Sequence, residues 1–170
     1  IVCTNFNKGE WIREAIDSFL AQESKFTYEI ILIDDASTDV SPKIIKEYAE
    51  THPDRIRAFY NRKNLGITKT WIKACEMAKG KYIARCDGDD YWTDTRKLQK
   101  QVDQLEKNKD SLWCSTDYNL ITSEGKLTHF SAFEKKLVDR SDSYAGMLAT
   151  KGFTMSSTWL VDANLMREIN

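Results

Sequence analysis

The chain has 170 residues, with 25 lysines and arginines against 26 aspartates and glutamates and a formal net charge of −1. This balance argues against a nucleic-acid binder, whose signature is a basic surface, and the length with 41% apolar residues suits one compact domain. No apolar run approaches a membrane span, and two prolines and seven glycines exclude a fibrous or disordered composition.

The first 110 residues alternate between strand and helix patterns. Apolar residues recur at helical spacing in the helical segments, and the apolar run before Asp34 is typical of a strand buried on both faces. Ser41 is the expected N-cap of the second helix, with Pro42 at its first helical position. The expected elements are strands at Ile1–Thr4, Tyr28–Ile33, Ile56–Tyr60 and Tyr82–Cys86, and helices at Glu10–Ala21, Ser41–Thr51, Ile67–Ala78 and around Leu98–Leu105. This alternation predicts an α/β fold with a mostly parallel central sheet flanked by helices.

The pattern changes after residue 110, where short strands and weaker helices are expected. These are a strand at Leu112–Tyr118, a hairpin at Leu120–Phe130, a helix at Ser141–Ala149, a strand near Ser157–Val161 and a helix at Asp162–Ile169. Because the sequence starts at Ile1 without a methionine and stops inside a helical pattern, we expect a fragment whose C-terminal part is truncated.

Acidic residues follow two of the expected strands. Asp34 and Asp35 follow the second strand, and Asp87-Gly88-Asp89-Asp90 follows the fourth. The carboxyl ends of parallel strands lie at one edge of a sheet, so both groups can share one crevice. Side chains two residues apart in extended chain point the same way, and Gly88 permits close backbone approach. Carboxylates so placed suit Mg²⁺, Mn²⁺ or Ca²⁺, and Mg²⁺ in particular favours a phosphate-bearing ligand.

Each acidic group also has a purely structural interpretation. Asp-Gly-Asp-Asp alone is an ordinary polar turn, and Asp34-Asp35 alone is a loop that caps the next helix. The glycine position and the lack of a later glutamate exclude an EF-hand. The occurrence of both groups after alternate strands favours a shared site.

Several motifs, taken in order along nearly the whole chain, resemble family 2 of the glycosyltransferases, which have the GT-A fold. The motifs are Thr4-Asn5-Phe6-Asn7, Ile33-Asp34-Asp35-Ala36-Ser37-Thr38-Asp39, Asn64-Leu65-Gly66, Gly80-Lys81-Tyr82-Ile83 and Asp87-Gly88-Asp89-Asp90-Tyr91-Trp92. The last is a form common among bacterial members. Many members carry Arg-Asn where this chain has Trp71-Ile72.

The resemblance implies one domain over residues 1–170, with a nucleotide-sugar-binding half at 1–110 and a partial acceptor-side half at 111–170. It implies that Thr4 and Phe6 line the nucleobase pocket and that Asp35, or else Asp34, accepts a hydrogen bond from the base. Asp87 and Gly88 are implied to contact the nucleotide, and Lys69 the diphosphate. Asp89 and Asp87 are implied to bind Mn²⁺ or Mg²⁺, and Asp90 and Trp92 to contact the sugar or the acceptor. A solvated helix position is the alternative for Lys69, and core packing is the alternative for Trp92.

The activity implied by the resemblance is metal-dependent, inverting transfer of a sugar, most often from a UDP-sugar, to a hydroxyl of a glycan or lipid-linked acceptor. The implied setting is cell-surface polysaccharide or glycoconjugate synthesis by a cytoplasmic enzyme, with peripheral association at the inner membrane face left open. The general base is expected beyond Asn170. Two alternatives remain, a non-catalytic nucleotide-sugar-binding domain and a Mg²⁺-dependent phosphotransfer module of the receiver or phosphatase type.

Overall fold

The computed structural model describes residues 1–132, 134–135 and 155–169. The helix expected at Ser141–Ala149 lies outside these residues. The elements are β1 (Val2–Asn5), α1 (Ile12–Leu20), β2 (Ile30–Asp34), α2 (Ser41–Thr51), β3 (Ile56–Tyr60), α3 (Ile67–Met77), β4 (Tyr82–Ala84), α4 (Lys97–Lys107), β5 (Trp113–Cys114), β6 (Leu120–Ile121), β7 (Leu127–His129), a 3₁₀ turn (Ser156–Thr158), β8 (Leu160–Asp162) and α5 (Ala163–Ile169).

The central sheet is parallel on one side and antiparallel on the other. Strands β3, β2 and β1 lie in that order and pair in parallel, with Val2 opposite Ile31. A parallel bridge between Val2 and Arg85 brings the end of β4 to the free edge of β1. Beyond it, β8 pairs antiparallel with both β4 and β5. The described sheet therefore confirms an α/β fold, and strand β8 inserts between two earlier strands.

Helices cover both faces of this sheet because its central strand is apolar on both faces. Ile30 and Leu32 of β2 pack with α1, α2 and α4 in one cluster. Ile31 and Ile33 pack with α3 and α5 in the other cluster. Helices on both faces leave the carboxyl ends of β1, β2 and β4 at one edge of the sheet, where the loops meet.

The structure corrects several local expectations. Ser41 is the first helical residue rather than the N-cap. The Asp39 carboxylate takes over the capping role, since it accepts a hydrogen bond from the Ser41 amide at 2.9 Å. The strand expected at Ser157–Val161 begins only at Leu160. Before it, the Thr158 amide and hydroxyl both donate hydrogen bonds to the Met155 carbonyl, at 2.9 and 2.6 Å, and close a 3₁₀ turn.

The elements after residue 110 are shorter than expected. The strand expected at Leu112–Tyr118 is reduced to Trp113–Cys114. The hairpin is confirmed, with β6 and β7 antiparallel around Gly125, whose φ of 77° suits a glycine. Among the described helices, none is both long and apolar enough to cross a membrane.

Candidate functional site

Asp34, at the end of β2, is turned into the protein. It is 2% exposed, and its Oδ1 accepts hydrogen bonds from Asn5 Nδ2 at 2.7 Å and Ser37 Oγ at 2.6 Å. Its Oδ2 accepts the Ser37 amide at 2.9 Å. This carboxylate is therefore occupied in shaping the loop after β2, where Ala36 has a φ of 61°. The alternative role of Asp34, accepting a hydrogen bond from the base, stays a prediction.

Asp35 binds the loop that starts α3. Its Oδ1 accepts hydrogen bonds from Asn61 Nδ2 at 2.7 Å and the Leu65 amide at 2.9 Å, and its Oδ2 accepts the Gly66 amide at 2.9 Å. Burial raises the pKa of Asp35, but the hydrogen bonds from Leu65, Asn61, Thr70 and Gly66 outweigh it, so the pKa lies below its ordinary value. The Asp-Asp and Asn-Leu-Gly motifs are thus parts of one structure.

The loops after β1 and β2 are joined by hydrogen bonds, which fixes the start of α2. The Asn7 and Lys8 amides donate to Ser37 Oγ and Ser41 Oγ, at 2.9 and 3.1 Å, and the Gly9 amide donates to Asp39 Oδ2 at 2.8 Å.

The two expected nucleobase residues lie on β1 and directly after it. Thr4 is half-buried within β1, and Phe6, just beyond the strand, has 44% of its surface exposed. The ring of Phe6 is therefore accessible to a planar ligand.

Gly88 packs against the end of β1. A Cβ at this position would lie 2.9 Å from Asn5 Oδ1 and 3.1 Å from Ile12 Cδ1, so a larger residue would force these atoms apart. Asn5 Oδ1 is buried and has no hydrogen-bond partner in the described part of the chain, while its Nδ2 binds Asp34. One asparagine thus lies between the two acidic segments, as expected from the sheet edge they share.

The three carboxylates of the second segment have separate partners. Asp87 contacts Arg85 and accepts a hydrogen bond from Ser156 Oγ at 2.8 Å. Asp89 is exposed and pairs with Lys8. Asp90 accepts a hydrogen bond from Ser157 Oγ.

The pKa of Asp90 is raised. Burial is the main cause, the Ser157 hydrogen bond opposes it, and the neighbouring charges of Asp89 and Asp87 add to it. A divalent cation near this segment would relieve that repulsion.

Trp92 is a core side chain. It is 8% exposed, its ring centre lies 5.1 Å from that of Phe19, and Lys97 Nζ lies 4.0 Å from the ring centre. Its Nε1 donates to the Ser157 carbonyl at 2.8 Å. Little of the ring is available to a sugar, so the structure supports the packing alternative for Trp92. Lys69 is exposed on the first turn of α3, which agrees with either of its two interpretations.

A cleft of about 1100 Å³ opens beside the second acidic segment. It lies between the start of α1, the acidic segment and the β6–β7 hairpin, and its walls include Trp11, Asp89, Asp90, Tyr91 and Tyr118. Aromatic rings beside carboxylates suit a polar ligand with flat apolar faces, such as a carbohydrate.

The donor set of the second segment fits a divalent cation that is shared with a ligand. Within the described ranges, no three His, Cys, Asp or Glu side chains form a ready-made metal cluster. However, Asp89 already pairs with a cation, the Lys8 ammonium, and Asp87, Asp89 and Asp90 offer hard carboxylate oxygens. Mg²⁺-type ions commonly bind one or two carboxylates and take the remaining ligands from phosphates and water.

Sequence reasoning missed Arg85 and Lys8 as partners of the acidic segment. The signal for Arg85 was present, since it precedes Asp87 by two residues at the end of β4 and can share its side of the chain. Lys8 carried no such signal, because its contact with Asp89 spans 81 residues and depends on how the loop after β1 folds.

Comparisons with known proteins bear on the family and the fold. The family model for glycosyl transferase family 2 matches residues 1–158. A Bacillus subtilis relative, TuaG, which carries the name of a teichuronic acid biosynthesis glycosyltransferase, is 31% identical over 125 residues, 74% of this chain and 48% of TuaG.

Two solved structures show the same kind of fold. The mannosyltransferase PcManGT of Pyrobaculum calidifontis, in complex with GDP-Man and Mn²⁺, is 26% identical with a TM-score of 0.56, covering 61% of this chain and 31% of PcManGT. TarS of S. aureus, in complex with UDP, has a TM-score of 0.72 at 20% identity and covers 99% of this chain and 47% of TarS. The chain spans between about a third and a half of the length of the curated relatives it matches.

Proposed function

Because the chain belongs to glycosyl transferase family 2, we propose that it transfers a sugar from a nucleotide-diphosphate sugar to a hydroxyl of an acceptor. One observation carries this proposal. The acidic segments after β2 and β4 meet on the two sides of Asn5, at the carboxyl edge of the sheet. This is the position in which an open α/β sheet binds its ligand.

We propose UDP as the nucleotide. The exposed ring of Phe6 offers a stacking face for the base, beside Thr4. Asp35 is held ionised by the hydrogen bonds that lower its pKa, so it stays an acceptor for an N–H group of the base. The 26% identical mannosyltransferase holds GDP-Man, which makes GDP the natural competing nucleotide.

A divalent cation, Mn²⁺ or Mg²⁺, would be held by Asp89 with Asp87. When bound, it would offset the negative charge that develops on the leaving diphosphate. The Mn²⁺ complex of the same mannosyltransferase supports this choice of ion. Lys69, exposed at the start of α3, stays a candidate for the diphosphate charge.

The reaction we propose is a single displacement, which inverts the configuration at the sugar carbon. The attacking hydroxyl must lose its proton, so a positioned carboxylate is needed as general base. Among the described residues we assign this role to none. Asp90, which lines the cleft, is proposed to contact the sugar or the acceptor.

We propose the cleft beside Asp89 as the place of a glycan or lipid-linked acceptor, because aromatic rings such as Trp11 and Tyr118 can pack on sugar faces. The teichuronic acid name of the 31% identical relative supports a role in cell-surface polysaccharide synthesis. Work at the cytoplasmic face of the membrane is part of the proposal.

A calorimetric titration of UDP, with Mn²⁺ and with EDTA, tests the donor site. Asp89→Ala should abolish the Mn²⁺-dependent part of UDP binding and leave the thermal midpoint unchanged, because Asp89 is exposed and its ion pair with Lys8 contributes little to stability. The matched control is Asp54→Ala, an exposed carboxylate just before β3, at the opposite end of the sheet.

Unchanged Mn²⁺-dependent UDP affinity in Asp89→Ala would contradict the assignment of the cation site. Tighter binding of GDP than of UDP would contradict the choice of UDP and would assign GDP as the nucleotide. Turnover of UDP-sugars with a glycan acceptor separates the enzyme from the alternative of a non-catalytic nucleotide-sugar-binding domain, which would bind UDP and transfer nothing. Binding of an acyl-phosphate mimic in place of UDP would favour the phosphotransfer alternative.

A further inference from the structure

Arg85 contacts Asp87 from a shielded position. Its Nη2 lies 3.2 Å from Asp87 Oδ1 and 3.4 Å from Oδ2, and its Nε lies 3.3 Å from Oδ1. The side chains are only 14% and 22% exposed, so water and salt weaken this pair less than a surface pair. A guanidinium that contacts both carboxylate oxygens restricts the rotation of the carboxylate.

Trp71 of α3 fixes the guanidinium in turn. The central carbon of the Arg85 guanidinium lies 4.7 Å from the centre of the Trp71 ring, in cation–π range. Trp71 is 7% exposed and belongs to the core cluster of Val2, Ile31 and Ile83. Arg85 is therefore held between a rigid core ring and the carboxylate of Asp87.

The opposite side of Asp87 is bound by the 3₁₀ turn before β8. Ser156 Oγ donates to Asp87 Oδ2 at 2.8 Å, and the Asp87 amide donates to Ser157 Oγ at 3.0 Å. Both oxygens of Asp87 thus have partners from the protein, whereas Asp89 pairs with the partly exposed Lys8. Two carboxylates two residues apart differ sharply in how firmly they are held.

We propose that Arg85, held by Trp71, is a positioning residue for donor binding, which acts through Asp87. This inference rests on the proposed function. Arg85 sets the orientation of the Asp87 carboxylate before the nucleotide and cation bind. The entropy of ordering this side chain is therefore lost during folding rather than on binding. It also neutralises one carboxylate of an acidic segment, which reduces the repulsion among Asp87, Asp89 and Asp90.

The test is UDP affinity of the full chain by calorimetry, with Mn²⁺ and with EDTA. Arg85→Met should weaken Mn²⁺-dependent UDP binding at least tenfold, the usual effect of removing a group that orients a metal-site ligand. Arg85→Lys should restore part of the loss, since an ammonium can pair with Asp87 but lacks the planar fork. Trp71→Phe should cost a few-fold, because it keeps a weaker aromatic face.

A double-mutant cycle with Asp87→Asn separates positioning from direct contact. If Arg85 acts through Asp87, Arg85→Met should cause no further loss of UDP affinity in the Asp87→Asn background. The matched control is Arg55→Met, which removes a guanidinium 5.5 Å from the Tyr28 ring centre, just before β3 and far from the acidic segments. Its UDP affinity should equal that of the parent chain.

The outcomes are distinct. Parent-like UDP affinity of Arg85→Met overturns the inference, and so do additive losses in the cycle, which would mean that Arg85 contacts the nucleotide itself. If Arg85→Met has a lowered thermal midpoint, the UDP affinities of Arg85→Lys and Trp71→Phe, alone and with Asp87→Asn, serve in its place. Absence of Mn²⁺-dependent UDP binding in the parent chain would overturn the proposed function as well.

Discussion

The two acidic segments lie at one edge of the sheet but are built differently. After β2, both aspartates are buried, and their partners are backbone amides, two asparagine side chains and a serine, at 2.6 to 2.9 Å. After β4, the aspartates are half-buried or exposed and are held by Lys8, Arg85 and two serines.

This difference indicates that the two segments have different roles. Amide partners of Asp34 and Asp35 belong to the fold and cannot leave without breaking it. Lys8 can leave Asp89 at little cost, because an exposed ion pair contributes up to about 1 kcal/mol. The first segment therefore builds the loops at the sheet edge, and under the proposed function Asp89 of the second segment exchanges its lysine for a ligand.

The largest effect on stability is expected at Asp34. Asp34→Ala would leave the buried amide of Asn5 and two donors of Ser37 without their acceptor. Hydrogen bonds to a buried charge contribute about 1.5–3 kcal/mol each, and their losses overlap, so the free energy of unfolding should fall by about 3 kcal/mol. Urea denaturation measures this. Exposed Asp54→Ala should change it by at most about 0.5 kcal/mol. Equal losses in the two variants would contradict the structural role of Asp34 in the first segment.

A smaller, pH-dependent effect is expected at Asp35. Asp35→Asn should cost about 1–2 kcal/mol at neutral pH, since the amides of Leu65 and Gly66 lose a charged acceptor. Because the folded pKa lies below the ordinary value of 3.8, this contribution is complete above 3.8 and is lost as the pH falls through the folded pKa. The stability difference between parent and variant, followed from pH 7 downwards, should therefore shrink only in acid. A difference that shrinks near neutral pH contradicts the lowered pKa.

The smallest effect, with the opposite sign, is expected at Asp90. Asp90→Asn keeps an acceptor for Ser157 Oγ and removes one of three negative charges from a short segment. Without metal, the free energy of unfolding should rise by about 0.5 kcal/mol, the size of a typical exposed charge interaction. Thermal unfolding in EDTA measures the change. A loss of stability would mean that the second segment depends on its carboxylates as the first one does.

Much of the fold followed from local patterns. The apolar run at Ile30–Ile33 identified a strand buried on both faces, and helical spacing identified α1 to α4, because both signals depend on neighbouring residues only. The start of β8 was misplaced by a few residues. The Thr158 amide and hydroxyl bind the Met155 carbonyl there and close a 3₁₀ turn, which competes with extended chain.

The sequence by itself determined the α/β class, the family motifs and the two acidic segments at strand ends, since these depend on residue type and spacing. The tertiary structure decided which carboxylates are buried and which is exposed, and that Trp92 packs in the core against Phe19. It also decided that Lys8 reaches Asp89 and that Trp71 holds Arg85 against Asp87. Contacts between distant residues depend on how loops and helices pack around the sheet, and spacing along the chain does not encode that packing locally.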